Sequence, residues 1–304
     1  MTRASLPALA ATRTARATSA AALALLVALG SAGCAPTDES ADKAGSSTSA
    51  ASSDACPAGA LPTVKTGTLT IGTDNPAYDP WFSDDKPSNG KGFESAVAYA
   101  VATQLGYAKD KVSWVTVPFN NAIAPGKKAF DFDINQVSIS TERKNAVDFS
   151  SGYYDVRQAI IALKSSPAAK ATSVADLKKY KLGAQVGTTS LDTITNVIKP
   201  TKTPAIYQKN DLAKTALKNG QVDAIVVDLP TAFYITAAEV TDATVVGQFE
   251  NTVGTPEQFG LVLDKGSALT DCVSGAVDGL RSDGTLATIE QEWLSKATNA
   301  PVLK

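Results

Sequence analysis

The sequence predicts an α/β protein in which small, mostly parallel sheets are covered on both faces by helices. Two observations carry this expectation. From Gly67 onward, segments of strand character alternate with segments of helical periodicity. Several strand segments, above all Gln158–Leu163 (QAIIAL) and Val222–Val227 (VDAIVV), are almost wholly apolar, as strands buried on both faces are.

The elements follow in order. Thr68–Thr73 alternates and is β-branched, hence a strand. Phe93, Val97, Val101 and Leu105 recur at helical spacing, and Gly106 supplies a stop. Val112–Val117 is a second strand, and a third is expected around Phe132–Val137. Ser173 to Asp176 forms a capping box that opens a helix ending near Tyr180. Leu182–Val186 is a strand leading into Gly187-Thr188-Thr189-Ser190 and a helix. Asp211 is expected to cap a helix that Gly220 terminates. After the strands Val222–Val227 and Phe259–Leu263, two amphipathic helices close the chain. One carries Leu269, Val273, Ala276 and Leu280, and the other Leu286, Ile289 and Trp293.

Composition narrows the function. The 304 residues, 44% hydrophobic and 19% charged, suit one large globular domain or two modest ones. Against 28 lysines and arginines stand 30 acids, so the basic excess of a general nucleic-acid binder is missing and no nucleic-acid partner is expected. Histidine is absent, which excludes Ser-His-Asp and Cys-His chemistry and His-bearing zinc sites. Three cysteines are too few for an all-thiolate zinc site, and there is no G-x-x-x-x-G-K-[ST] sequence. No metal, cofactor or catalytic residue is expected.

The first sixty residues read as address and tether. Arg3, Arg13 and Arg16 precede an apolar run, Ala20 to Leu29, that is about half the ~20 residues of a membrane span. Small residues follow, up to Cys34. A cysteine directly after Ala-Gly resembles a bacterial lipobox, although Ser31 stands where that motif usually has Leu. On this reading 1–33 is a signal peptide, Cys34 carries lipid, and 34–60 is a flexible tether rich in Ser, Ala, Thr and Asp. Removing 1–33 takes three arginines and no acid, leaving a net charge of −5, so the body is expected to be held at the membrane by lipid alone. Cys56 and Cys272 remain as an even pair in an oxidising compartment, where a disulfide is expected in preference to a buried free thiol at Cys272.

Four segments, in this order, resemble the extracellular solute-binding proteins of bacterial polar amino-acid ABC transporters. They are Ile71–Phe82 followed by Gly92-Phe93-Glu94, then Asp133–Ser150 (DINQVSISTERKNAVDFS), Gly183–Ser190 (GAQVGTTS) and Val222–Asp228 (VDAIVVD). The resemblance runs from about Gly67 to Trp293 and implies a two-lobed, type II periplasmic-binding-protein-like fold. The implied lobes are 61–158 for the first part of lobe 1, 159–256 for lobe 2, and 257–304 for the return to lobe 1.

The ligand chemistry can be argued from the residues. A free amino acid needs a cation for its carboxylate, an anion for its ammonium and a shaped wall for its side chain. Arg143 has the planar fork that grips a carboxylate, and the resemblance places the carboxylate-binding arginine there. Thr188, Thr189 and Ser190, at a strand-to-helix transition, offer a helix start to the same group, or simply cap the helix. Asp228 ends an apolar strand, where parallel sheets open on crevices, and matches the family's acceptor for the ammonium. Ser138 matches a hydroxyl contact, and Gln136 stands where relatives often carry a small or hydroxylated residue. Tyr78 matches an aromatic packed over the ligand. Trp81, Phe82 and Phe119 are further candidates for the side-chain pocket, although a core role is the default for an aromatic. Asp74 matches a position where some relatives use an acid toward a cationic ligand side chain. Arg157 lies near the expected first crossover, where the sequence does not show whether it faces the cleft. Asp223 reads as structural.

The resemblance implies a monomeric, lipid-anchored receptor on the extracellular face of the cell membrane. It would capture an amino acid between its lobes and deliver it to an ABC permease. The alternatives are a cyclohexadienyl dehydratase-like lyase on the same fold, and a surface sensor without transport.

Overall fold

A computed structural model describes residues 56–250, 256–295 and 300–304. The expected signal peptide, Cys34 and most of the tether lie outside these residues.

Along the chain, β1 (Leu69–Thr73) leads to helix α1 (Phe93–Gln104), β2 (Val112–Thr116), the short helix α2 (Phe119–Ile123) and β3 (Phe132–Asp133). The long strand β4 (Asp148–Val156) passes through Arg157 into β5 (Gln158–Leu163). Then come α3 (Val174–Leu177), β6 (Leu182–Gln185), α4 (Thr189–Asp192) with a π-helical turn to Ile198, β7 (Ala205–Tyr207), α5 (Asn210–Lys218) and β8 (Ala224–Asp228). Helix α6 (Leu229–Tyr234) and β9 (Ala243–Phe249) precede β10 (Glu257–Leu263), α7 (Thr270–Ser282), α8 (Thr285–Leu294) and β11 (Val302–Leu303).

The strands form two sheets, one per lobe. The first has the order β2-β1-β3-β10-β4, and the second β11-β9-β5-β8-β6-β7. Both are mixed. In the first, β1 pairs in parallel with β2 and β3, while β10 runs antiparallel to β3 and β4. In the second, β5 is antiparallel to both β8 and β9. The crossing strands cause this, because each enters its new sheet against the grain of the βαβ units. An antiparallel strand buried on both faces is as continuously apolar as a parallel one, so the sequence pattern does not distinguish them.

Each sheet separates two apolar layers. In the first lobe, Leu69, Ile71, Phe132 and Phe259 pack against α1, α7 and α8, with Trp81 and Phe93 at the centre. The opposite face meets Phe119, Val137, Val147 and Val262. In the second lobe, Ile160, Ala224 and Val226 face α3 and α4, whereas Ile161, Ile225 and Val227 face α5 and α6. The disulfide Cys56–Cys272 ties the start of the body to α7, across a Cα separation of 5.6 Å.

Several expectations are corrected. The third strand spans only Phe132–Asp133, because the chain leaves the sheet for a loop in which Gln136 has φ of 49°. Ser173 and Asp176 form the expected capping box, but α3 stops at Leu177. Asp211 does not cap α5. Lys209 is the N-cap, and Asp211, inside the first turn, pairs with Lys214 at 2.7 Å. Strands β4, β7, β9 and β11 escaped the sequence reading, since β4 (DFSSGYYDV) is too polar for an apolar run and β7 and β11 are very short. Val302–Leu303, placed by the sequence in the return to lobe 1, pairs instead with β9 of the second sheet. Leu303 is buried there against the second lobe's core.

Candidate functional site

Glycine fixes two approaches to the site. Gly92, before α1, has φ of 93°, and a Cβ there would lie 2.5 Å from the Trp81 carbonyl oxygen. Gly187, before α4, has φ of 73°, and a Cβ would meet Asn120 Oδ1 at 2.6 Å. The first sets the start of α1, and with it Glu94. The second lets the loop before α4 close on the first lobe.

Between the lobes lies a cleft. The first lobe lines it with Asp74, Tyr78, Phe119, Asn135, Gln136 and Arg143, and the second with Gln185, Thr188, Thr189, Ser190, Asn210, Val227 and Asp228. Most of the ligand-site residues named from the sequence, Ser190 among them, therefore share one cleft. Ser138 instead sits behind it. Its hydroxyl contacts Glu257 Oε1 at 2.5 Å and Thr189 Oγ1 at 3.3 Å.

The half-buried Arg143 spans the two lobes. Nη1 donates to the Ser138 carbonyl at 2.6 Å and Nη2 to the Gly187 carbonyl at 2.9 Å, while the guanidinium lies 5.6 Å over the Phe119 ring. Those two bonds leave about three of the five guanidinium donors for an anion. The Thr188 hydroxyl accepts from the Leu191 amide at 3.2 Å, so this side chain caps α4. The amides of Thr189 and Ser190, first in the helix, have by position no intrahelical acceptor. Together with Arg143 they form a subsite suited to a carboxylate.

Asp228, at the end of β8, lines the same cleft from the second lobe, with Gln158 Nε2 reaching both it and Thr189 Oγ1. Burial, reinforced by the nearby Glu257 charge, pushes the Asp228 carboxyl up to about 8, partly opposed by a hydrogen bond from Gln158. Behind the first lobe's loop, burial holds Glu94 up at about 7. Glu94 accepts from the Gln136 amide at 2.7 Å, from the Gln136 side chain and from the Tyr153 hydroxyl. The side-chain amide of Gln136 is thus committed to Glu94, and the left-handed turn there is held by it. Asp133 is buried deeper. Burial, with the Glu94 and Asp74 charges, raises it well above the carboxylate range, and neither oxygen has a hydrogen-bond partner among the described residues.

The wall is polar and aromatic. Asp74 accepts from the Asn75 amide at 2.7 Å and from the Phe119 amide at 3.2 Å, which seats Phe119 at the start of α2. Tyr78 reaches the second lobe, with its ring 4.8 Å from Lys214 Nζ and its hydroxyl raised by burial and by Asp211. At the exposed edge, Lys209 Nζ donates to the Asn75 carbonyl at 2.6 Å, and a buried bond runs from Trp81 Nε1 to Thr231 Oγ1 at 2.8 Å. Trp81 and Phe82 belong to the core. Arg157 is exposed and reaches Gln248, away from the cleft. Asp223 accepts from the Lys181 amide at 2.7 Å.

Asn135, Gln185 and Asn210, which line the cleft, and Glu94, Gln158 and Glu257, which stand behind it, were not among the site residues expected from the sequence. Ser190, expected at the helix start, does line it. Asn135 and Gln185 lay inside the segments that carried the resemblance, but nothing local marked their side chains as facing the cleft. Among the described residues, no group of three or more His, Cys, Asp or Glu side chains is arranged to hold a metal ion. No helix among them is long and apolar enough to cross a membrane.

Residues 69–296 match the bacterial extracellular solute-binding proteins, family 3. The chain belongs to this family. Among its relatives is a probable histidine-binding protein of Campylobacter jejuni, 29% identical over 232 residues, which cover 74% of this chain and 84% of the relative. The L-cystine-binding protein TcyJ of Escherichia coli is 28% identical over 230 residues, 75% of this chain and 82% of the relative. A solved structure of an ancestral arginine-binding protein bound to arginine matches with a TM-score of 0.62 and 30% identity, over 75% of this chain and 98% of that one. An ancestral amino acid-binding protein described as a precursor of cyclohexadienyl dehydratase matches with a TM-score of 0.61 and 31% identity, over 74% and 94%. This family 3 protein has the two-lobed type II fold of those structures. The family and the relatives named here are solute-binding proteins, which favours binding over the lyase alternative.

Proposed function

We propose that this family 3 protein captures a free amino acid between its lobes and hands it to the permease of an ABC importer. The supporting observation is one cleft that brings Arg143 of the first lobe together with the α4 amides and Asp228 of the second. A carboxylate and an ammonium on one small molecule match these groups, and a ligand that touches both lobes favours their closed arrangement. Relatives named for histidine and cystine, and a structure described as bound to arginine, agree with this ligand class.

The wall narrows the class further. Around the space left for a side chain stand Asp74, Asn135, Gln185 and Asn210, and among the described lining residues Arg143 is the sole cation. A carboxylate side chain would meet Asp74 with no counter-charge, so the ligand's side chain is neutral or cationic. In this reading the protein is a monomer anchored through lipid on Cys34. Its release into the medium by Cys34→Ala tests the anchor.

A thermal-shift screen of refolded, ligand-stripped protein against the common amino acids and L-cystine tests the ligand class. A ligand at 100 times its Kd adds about 2.7 kcal/mol of stability. Clear shifts are expected with one or a few neutral or cationic amino acids, and none with aspartate or glutamate. Absence of a shift with every amino acid would overturn the proposal.

A further inference from the structure

Two residues outside the cleft lining, Gln158 and Glu257, stand beside its acid, Asp228. Gln158 begins β5 and Glu257 begins β10, so each heads a strand by which the chain enters a lobe. Gln158 is buried and is the cross-strand partner of Asp228. The Ser190 hydroxyl donates to Gln158 Oε1 at 2.6 Å, which turns the amino end of the amide toward Asp228. There Nε2 donates to Asp228 Oδ1 at 2.8 Å and approaches Glu257 Oε1 at 3.4 Å and Oε2 at 3.5 Å. One neutral amide thus stands between two carboxyl groups, with Glu257 also holding the Ser138 hydroxyl of the first lobe.

We propose that Gln158 and Glu257 are positioning residues for ammonium recognition: Gln158 aims Asp228 into the cleft, and Glu257 sets the readiness of Asp228 to give up the proton that an incoming ammonium group displaces. This rests on the reading of Asp228 as the ammonium acceptor. The step balances simply. A protonated Asp228 meets a protonated ligand amine, the O–H bond breaks, the proton passes to solvent, and a carboxylate–ammonium pair remains. The groups facing Asp228 agree with such control. Burial and the Glu257 and Glu94 charges favour its neutral form, while Gln158 and Arg143 favour the charged one. The phenols of buried Tyr153 and half-buried Tyr154 also feel its charge and bring no positive charge.

The test is a carboxyl ¹³C NMR titration of Asp228 in the full chain without ligand. In the unaltered protein the midpoint is expected near 8. Glu257→Gln should lower it by about one pH unit or more, because one of the two neighbouring acidic charges is gone. Gln158→Met, which keeps the volume and removes the donor, should raise it. A midpoint unmoved in Glu257→Gln overturns the inference, even if Gln158→Met fails to fold. A merely structural role would lower the melting temperature in these variants and leave the midpoint in place. Binding of L-glutamine and L-arginine to Asp228→Asn separates the two readings. Unreduced affinity for either would overturn the ammonium assignment, with the titration result still standing by itself.

Discussion

Replacing Arg143 by alanine tests the site most directly. In the structure two of its donors hold the Ser138 and Gly187 carbonyls, one in each lobe. In the proposed reading the remaining donors meet a ligand carboxylate, where two charge-assisted hydrogen bonds contribute about 1.5–3 kcal/mol each. Loss of both costs about 3–6 kcal/mol, or roughly a hundred-fold to ten-thousand-fold in Kd. Removal of the bridge between the lobes adds to this loss, because the closed arrangement loses a bond. The fold should survive, since the guanidinium is half-buried and outside the apolar layers. Arg143→Lys keeps the charge and loses the planar fork, so its loss should be intermediate. Isothermal titration with an amino acid found by the thermal-shift screen measures both variants, with the melting temperature of the ligand-free protein as a control. An affinity for Arg143→Ala within about three-fold of the unaltered protein, with an unchanged melting temperature, would refute the assignment.

Other outcomes follow from the same geometry. Glu94 and Asp228 have carboxyls held up at about 7 and about 8 in the folded protein, against ordinary values near 4. A raised acid adds stability that is complete below the unfolded value and is lost as pH rises through the folded one. The ligand-free protein should therefore lose stability between pH 5 and pH 8 by up to about 1.4 kcal/mol per pH unit per group, and Glu94→Gln should flatten that slope in denaturant titrations. Breaking the Cys56–Cys272 bond, which closes a separation of 216 residues far from the cleft, should cost about 2–4 kcal/mol and leave ligand affinity unchanged. Calorimetry of Cys56→Ala/Cys272→Ala, with and without ligand, checks both halves. Thr231→Val removes the acceptor of the Trp81 indole across the lobes and should weaken ligand binding by a few-fold, a loss of about 1 kcal/mol. An unchanged Kd in that variant would show that this contact does not favour closure.

Much of the fold was legible because it rests on local pattern. The β-branched alternation of β1, the apolar runs of β5 and β8, the capping box at Ser173 and the heptad-like faces of α7 and α8 each follow from a few adjacent residues. Asp228 and the α4 start were likewise legible, since each pairs a chemical type with a strand end or a helix start. Arg143 was singled out instead by its planar fork and by the resemblance of the segment Asp133–Ser150. The directions of β5, β9 and β10 were not, because a strand's sequence records whether its faces are buried and not which way its neighbours run. Strand β4 stayed hidden for a related reason. Its Ser150, Ser151 and Asp155 find partners in α7 and β10 that only the assembled lobe supplies.

The sequence by itself determined the alternation of elements, the chemistry available to the cleft and the exclusion of histidine-based catalysis. Those are properties of residue type and of spacing over a turn or a strand. Tertiary structure alone decided what each polar group is used for. It sent the Gln136 side chain to Glu94 and the Ser138 hydroxyl to Glu257, and it moved Arg157 out to Gln248. It also set Gln158 between two carboxyl groups that lie 29 residues apart in sequence, one at the end of β8 and the other at the head of β10. A hydrogen bond's partner depends on where distant backbone comes to rest, and burial there, rather than residue identity, holds Asp228 near neutrality.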